Sequence, residues 1–236
     1  MLDAEKIVDD TLNLFRHEIQ NISEFISIDD YEQLHQEFLT PTSIKIDMDI
    51  LKHDLESYQV FFQQWGQHRS HVPRYGIALV NLDGVLDRTQ DPTNGSLYEW
   101  SSLNPDKKII ESDCVIPTEL INLLSLKPLR VLDDHWCRSN ILKWNKGAEF
   151  VPHIDNCVPA PWIRLWATSD ADNLDLRFYN KKTKSMEKVK SIEEGRVYII
   201  DTSIVHDAKA HNDNIYQLFL STLPSSTELL KELINV

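Results

Sequence analysis

Cysteine is scarce in this chain, basic residues are outnumbered, and long apolar runs are missing. Three cysteines occur in 236 residues: Cys114, Cys137 and Cys157. The number is odd and no CxxC pair exists, which argues against a disulfide framework and for a reducing compartment. Lys and Arg total 24 against 37 Asp and Glu, a net charge of −13. Such a surface is a poor electrostatic partner for nucleic acid or an anionic membrane, yet it is compatible with a local basic pocket for a small acid. No apolar stretch reaches membrane-spanning length. The opening MLDAEKIVDDTLNLF carries acids where a secretory signal needs a basic region and then an apolar run. The expectation is a cytoplasmic protein with a small-molecule or peptide substrate and no nucleic-acid or membrane partner; the oligomeric state is left open. No internal repeat or low-complexity segment is present. Hydrophobic residues make up 42%, ordinary for a globular chain. The length suits one domain, or one domain with an extension.

The first third reads as helical. Val8, Leu12, Phe15, Ile19, Ile22 and Ile26 alternate spacings of four and three, which predicts an amphipathic helix over residues 3–27. A short helix is expected around Tyr31, Leu34 and Phe38, ending before Pro41. Leu51, Leu55, Tyr58, Phe62 and Trp65 form another helical stripe, with Gly66 as its stop. Residues 74–82 suit a strand closed by an Asp83-Gly84 turn. Residues 87–115, rich in Asp, Pro, Asn, Gly and Ser, read as a long loop of the kind that covers active sites. Residues 117–126 are expected as a helix with Pro117 near its start. Strands are then predicted at 139–144, 150–155, 162–168, 174–179, 186–192, 196–201, 205–209 and 215–222, with turns at 145–147, 180–183 and 194–195. That run predicts a double-stranded β-helix, a jelly roll of the cupin-like kind. The closing SSTELLKELI reads as a helix capped by Thr227 or a neighbouring serine. The fold class expected is mainly β with N-terminal helices (α+β). A helical extension over residues 1–70 packs on a jelly-roll domain with a C-terminal helix over 71–236, as one structural unit.

His153-Ile154-Asp155 holds two metal-ligand types two residues apart, a spacing that puts both on one face of a strand. His206, beside a much later strand, can supply a third donor. Two histidines and one carboxylate with open positions mark non-haem Fe(II) oxygenases, while zinc also accepts such donors. An HxD tripeptide arises often by chance, and a lone strand histidine is more often packed than ligating. Here both histidines follow a glycine turn and a strand. His211 competes for the third position, but Ala210-His211-Asn212-Asp213 looks like a turn. Cys157 would face the same way as Asp155 if the strand continued, but Pro159 and Pro161 point to a loop. Asp133-Asp134-His135 reads as a solvated acidic turn. Trp100, Trp136, Trp144, Trp162 and Trp166 are candidates for pocket walls, though most tryptophans are simply packed.

The stretch 146–155, KGAEFVPHID, resembles the turn, strand and first iron ligands of the aspartyl/asparaginyl β-hydroxylase-like branch of the 2-oxoglutarate/Fe(II)-dependent dioxygenases. The stretch 194–206, EGRVYIIDTSIVH, resembles the segment bearing the distal histidine of that branch. The resemblance covers residues 138–222 and leaves the first 70 untouched. It implies a double-stranded β-helix, Fe(II) held by His153, Asp155 and His206, and 2-oxoglutarate as cosubstrate. It also implies hydroxylation of an unactivated C–H bond with release of succinate. The chemistry belongs to metal and cosubstrate; the protein supplies geometry and a dry pocket.

One departure stands out. The family carries an arginine on the strand after the distal histidine, and Gln217 fills that slot here. Glutamine offers no charge and no bidentate fork, and a charge-assisted bond is worth about twice a neutral one. The resemblance implies a basic residue on the strand after HxD, where Arg164 stands with Trp166 on its face. Arg138 and Arg177 are further candidates, and for each arginine alone a surface ion pair is the commoner outcome. The leading expectation is an enzyme, a hydroxylase of an amino acid or peptidyl side chain, with Arg164, Gln217, Trp166 and Arg138 around the cosubstrate. Alternatives are a catalytically silent metal-binding protein of oxygenase fold and a cupin-like metalloenzyme that does not use 2-oxoglutarate.

Overall fold

Segments with a two-residue apolar period assemble here into two antiparallel sheets, and shorter helical pieces cover one of them. The computed structural model describes residues 3–9, 24–65, 72–86, 106, 109–155 and 158–234. Its strands are β1 (Leu39–Lys45), β2 (Gln63–Gln64), β3 (Arg74–Asn81), β4 (Ile116–Pro117), β5 (Trp136–Trp144), β6 (Glu149–His153), β7 (Ile163–Thr168), β8 (Leu174–Asn180), β9 (Ser185–Lys188), β10 (Arg196–Ile200), β11 (His206–Ala210) and β12 (Ile215–Thr222). The large sheet runs β1-β10-β7-β12-β5-β3-β2 with β4 beside β3, and the small sheet runs β6-β11-β8-β9. Residues 4–9 are helical, and the other α-helices among the described residues are α1 (Ile28–Leu34), α2 (Met48–Asp54) and α3 (Thr227–Ile234). Among the described residues, no helix is long and apolar enough to cross a membrane.

Alternation along each strand sorts residues between two cores. Ile141, Leu165, Ile199, Leu218 and Leu220 leave the large sheet on its helical side and pack with Leu34, Leu51, Leu126 and Leu230. Leu142, Trp144, Trp166, Tyr198 and Ile215 point the other way and meet Leu174, Leu176, Phe178 and Ala208 of the small sheet. The result is a double-stranded β-helix whose space between the sheets is available for a site. The turn before β10 depends on Gly195, which has φ +73°. A Cβ there would collide with the carbonyl oxygen of Ile46, so the tight approach of β1 to β10 needs a glycine.

The strand reading of residues 138–222 agrees with the structure to within a few residues at each end. The helical reading of the N-terminal third needs correction. Of the helix expected over 3–27, residues 4–9 are helical and residues 10–23 lie outside the described residues. Ile26 instead makes a β-bridge to Ala160, and Ser27 caps the start of α1. Phe38 does not belong to α1, which ends at Leu34, and Leu39–Lys45 is the edge strand of the large sheet and pairs with β10. The sheet therefore runs across the expected boundary at residue 70. Pro41 has no N–H to donate, which an edge position tolerates. The second stripe forms α2 and then a 3-10 helix over Leu55–Phe61. The expected helix at 117–126 is two 3-10 segments, Glu119–Asn122 and Leu124–Leu132. Pro128 lies inside the second, where its missing N–H and its ring oppose an α-helical ladder. Of the long loop, residues 87–105, 107 and 108 lie outside the described residues, as do Gly66, Trp100 and Cys157.

Candidate metal centre

His153 closes β6 and His206 opens β11, and the two are direct cross-strand partners. Opposed residues on antiparallel strands share a face, and their imidazole centroids lie 4.4 Å apart. Asp155 lies beyond the end of β6, so the two-residue strand spacing does not by itself aim its carboxylate. The backbone does so instead: the Asp155 N–H donates to the Thr202 carbonyl at 3.0 Å and folds the residue back over the strand ends. Asp155 Oδ1 then lies 3.1 Å from His153 Nε2, and Oδ2 lies 3.9 Å from His206 Nε2. The three ligand atoms fall within 4.8 Å of one another.

Hydrogen bonding at the far side of each ring selects the donor atom. His153 Nδ1 lies 2.7 Å from the Val151 carbonyl and His206 Nδ1 lies 2.9 Å from the Ile204 carbonyl. A carbonyl only accepts, so each Nδ1 carries the proton and each Nε2 lone pair is free for a cation. Asp155 Oδ2 is buried with no hydrogen-bond partner, a lone pair that a metal would satisfy. The His206 side chain is 5% exposed, while those of His153 and Asp155 are 28% and 21% exposed, so the cluster is reachable from one side. Burial, and then the charge of His153, push His206 down to about 4, which keeps it neutral. Burial also lowers His153, but the Asp155 carboxylate outweighs it and the net shift is upward. Burial raises the Asp155 carboxyl, yet His153 and His206 hold it well below the usual carboxylate range. A cation would take the place of the proton that His153 shares with Asp155. The donor set therefore fits a divalent metal of the iron or zinc type.

The other expected residues line the space between the sheets. Arg164 and Arg138 are buried and both pair with Glu111, at 3.1 Å each. Arg164 also donates to Ser221 Oγ, and its guanidinium lies 4.9 Å from the Phe219 ring centroid. Burial lowers the pKa of Arg164, but the carboxylates of Glu111 and Asp155 outweigh this and raise it. Arg164 thus lies within electrostatic reach of Asp155. Gln217 is buried, and Trp166 Nε1–H donates to its Oε1 at 2.9 Å. Indole can only donate, so this bond turns the Gln217 NH2 away from Trp166, where it has no partner. Register puts Phe219 opposite Trp166 and Asn140, and Ser221 opposite Arg164. Asn140 Oδ1 and Arg164 Nε are likewise buried without hydrogen-bond partners.

Arg177, itself exposed, forms an ion pair with the buried Asp207 at 2.6 Å and does not join this group. His211 pairs with Asp175 at the surface, and Asp133 meets Arg130 and the Trp136 indole. Two participants were not expected from the sequence. Arg74 is buried on β3 with its guanidinium 3.9 Å from the Phe150 ring centroid, and its charge reaches His153. Glu111, within the stretch read as loop, ends up buried between two arginines. The cue for Arg74 was an arginine opening an otherwise apolar strand; Glu111 had none. A cavity of about 910 Å³ between β1 and β9, with Phe38, Thr42, Lys188 and Tyr198 among its walls, does not include the cluster.

No protein-family model matches the chain, and no curated protein matches it in sequence. Among solved structures, an oxidoreductase of the 2OG-Fe(II) oxygenase family from Burkholderia pseudomallei is similar at 10% identity and a TM-score of 0.40, over 74% of this chain and 78% of that one. YcfD, a ribosomal oxygenase from Escherichia coli in complex with cobalt and succinic acid, is similar at 18% identity and a TM-score of 0.31, over 44% of this chain and 29% of that one. KdgF from Halomonas sp. is similar at 12% identity and a TM-score of 0.27, over 36% of this chain and 67% of that one. The chain thus spans well under two thirds of YcfD. Likenesses at this level assign no activity.

Proposed function

We propose that this chain is an Fe(II)- and 2-oxoglutarate-dependent dioxygenase that hydroxylates an amino acid or a peptidyl side chain. One arrangement carries the reading: a two-histidine, one-carboxylate donor set beside a buried group of cations and unpartnered donors. His153 and His206, through Nε2, and Asp155 would hold the metal and leave the remaining coordination positions open. When bound, Fe(II) supplies oxygen chemistry: with 2-oxoglutarate it converts C–H to C–OH at the expense of O2, releasing succinate and carbon dioxide. The chain's own residues orient and select. Arg138 and Arg164 bring two buried guanidinium groups to the Glu111 carboxylate, a setting that suits a carboxylate ligand. Arg164 is the main anchor for a carboxylate, and Gln217, set by Trp166, is a neutral donor to it. A buried donor without a partner costs about 1–3 kcal/mol, and an acceptor-rich ligand removes that cost. The cytoplasm is the proposed location, in line with the buried Cys114 and Cys137, neither of which is in a disulfide.

The experiment is succinate release. Protein loaded with Fe(II) should convert 2-oxoglutarate to succinate, and His153→Ala should lose that conversion. Failure of the iron-loaded protein to bind 2-oxoglutarate would overturn the reading. One observation favours a second reading: Glu111 already offsets one charge of the Arg138–Arg164 pair. A cupin-like metalloprotein without 2-oxoglutarate chemistry, active or silent, would bind metal through the same three residues and consume no 2-oxoglutarate.

A further inference from the structure

The segment joining β10 to β11 carries the outer contacts of two metal-ligand candidates. The Thr202 carbonyl accepts the Asp155 N–H at 3.0 Å, and the Ile204 carbonyl accepts His206 Nδ1–H at 2.9 Å. Two carbonyls of this segment, two residues apart, thus set both the aspartate and the histidine. The turn is organised around one atom. Asp201 Oδ1 accepts from the Ser203 N–H at 3.1 Å, from Ser203 Oγ–H at 2.6 Å and from Tyr31 Oη–H at 2.8 Å. The first two bonds close the turn on itself; the third comes from a distant part of the chain.

Tyr31 belongs to α1, which is fixed independently of this turn. Leu34 is fully buried in the helical-side core, and Asp30 pairs with Lys231 of α3 at 2.6 Å. The Tyr31 ring is buried and stacks on His35 at 3.8 Å between centroids. Burial, and then the Asp201 charge, push the phenol upward, so it remains a donor at neutral pH. A rigidly held O–H therefore pins the carboxylate about which the 201–205 turn is built.

We propose that Tyr31 is a positioning residue for the metal centre, acting through Asp201 and the 201–205 turn on Asp155 and His206. This rests on reading His153, Asp155 and His206 as the metal ligands. It gives the N-terminal segment a role in the site itself. Removing the phenol oxygen leaves the ring in place and the Asp201 N–H bonded to the Phe38 carbonyl, but withdraws the external tie to the Asp201 carboxylate. The Thr202 and Ile204 carbonyls then hold their partners less firmly. Loss of a partner that directly orients a ligand lowers metal affinity about 10–100-fold, and one link further out about three- to tenfold is expected.

The test is a Co(II) titration of the full-length protein, followed by visible d–d absorption, which needs no turnover. Tyr31→Phe should weaken Co(II) binding about three- to tenfold and alter the band shape. Lys231→Ala, which removes one tie of α1 but leaves the Leu34 anchor and the Tyr31–Asp201 bond in place, should lose clearly less than Tyr31→Phe. Ser203→Ala removes another donor to the same oxygen and should act in the direction of Tyr31→Phe, which keeps the test available if the tyrosine variant folds poorly. Unchanged affinity and spectrum in Tyr31→Phe, or an equal loss in Lys231→Ala, would overturn the proposal while wild type still binds and His153→Ala does not. If wild type and His153→Ala bind alike, the metal-centre reading fails and takes the proposal with it.

Discussion

Glu111→Gln separates two roles of one buried carboxylate. In the wild type, Glu111 lies 3.1 Å from Arg138 and 3.1 Å from Arg164, and all three side chains are buried. The amide keeps the shape and one acceptor oxygen but removes the charge, leaving two buried guanidinium groups without their shared counter-ion. Breaking a buried ion pair from one side costs about 3–5 kcal/mol, and the retained acceptor favours the lower end. For a chain of this length, about 3 kcal/mol corresponds to a fall in Tm of roughly 6–12 °C. Ligand binding should respond with the opposite sign. A carboxylate entering the variant meets two arginines that no longer share the Glu111 charge. A tenfold gain in affinity is about 1.4 kcal/mol, or roughly 3–6 °C of additional ligand-induced stabilisation at saturating concentrations. The assay is thermal unfolding of metal-loaded wild type and variant, each with and without 2-oxoglutarate. A variant that melts with the wild type would refute Glu111 as the counter-charge. A variant that melts lower but gains less from 2-oxoglutarate than wild type would refute the arginines as its seat.

Trp166→Phe should remove the donor to Gln217 Oε1 found among the described residues and leave that buried amide with neither end paired there. The expected loss is about 1–3 kcal/mol in urea unfolding, partly recovered when a carboxylate ligand is present. Gly195→Ala forces a side chain into positive φ and against the Ile46 carbonyl, so at least about 1–2 kcal/mol of stability should go from the backbone alone, read as a lower urea midpoint. Metal affinity should depend on pH in two steps, because protons compete for the ligand atoms. His153 is raised above its ordinary value, so its proton begins to compete first as pH falls, weakening Co(II) about tenfold per unit below its pKa. His206 is held at about 4 and should add a second step only near there. A Co(II) affinity that is flat between pH 8 and pH 5 in titrations would contradict this order.

Much of the fold was legible because strand periodicity is a local property. Eight alternating segments with glycine turns mark the strands from β5 to β12, and the histidines and Asp155 declare themselves by chemistry. The two-residue period also put Arg164 and Trp166 on one face, where the structure has them. Other features depend on which faces meet, and no short-range pattern encodes that. Asp155 is aimed by the Thr202 carbonyl, 47 positions along the chain, rather than by strand alternation. Arg74 and Glu111 become site residues only because β3 pairs with β5 and the 3-10 turn at Glu111–Asp113 packs beside it. Leu39–Lys45 becomes a strand because β10 offers an edge to pair with. Composition and spacing by themselves thus determined a β-rich chain carrying three metal-ligand residues. The convergence of those residues, and the charge balance beneath them, were decided by antiparallel register and by burial, which turn distant positions into neighbours and make each unpaired charge expensive.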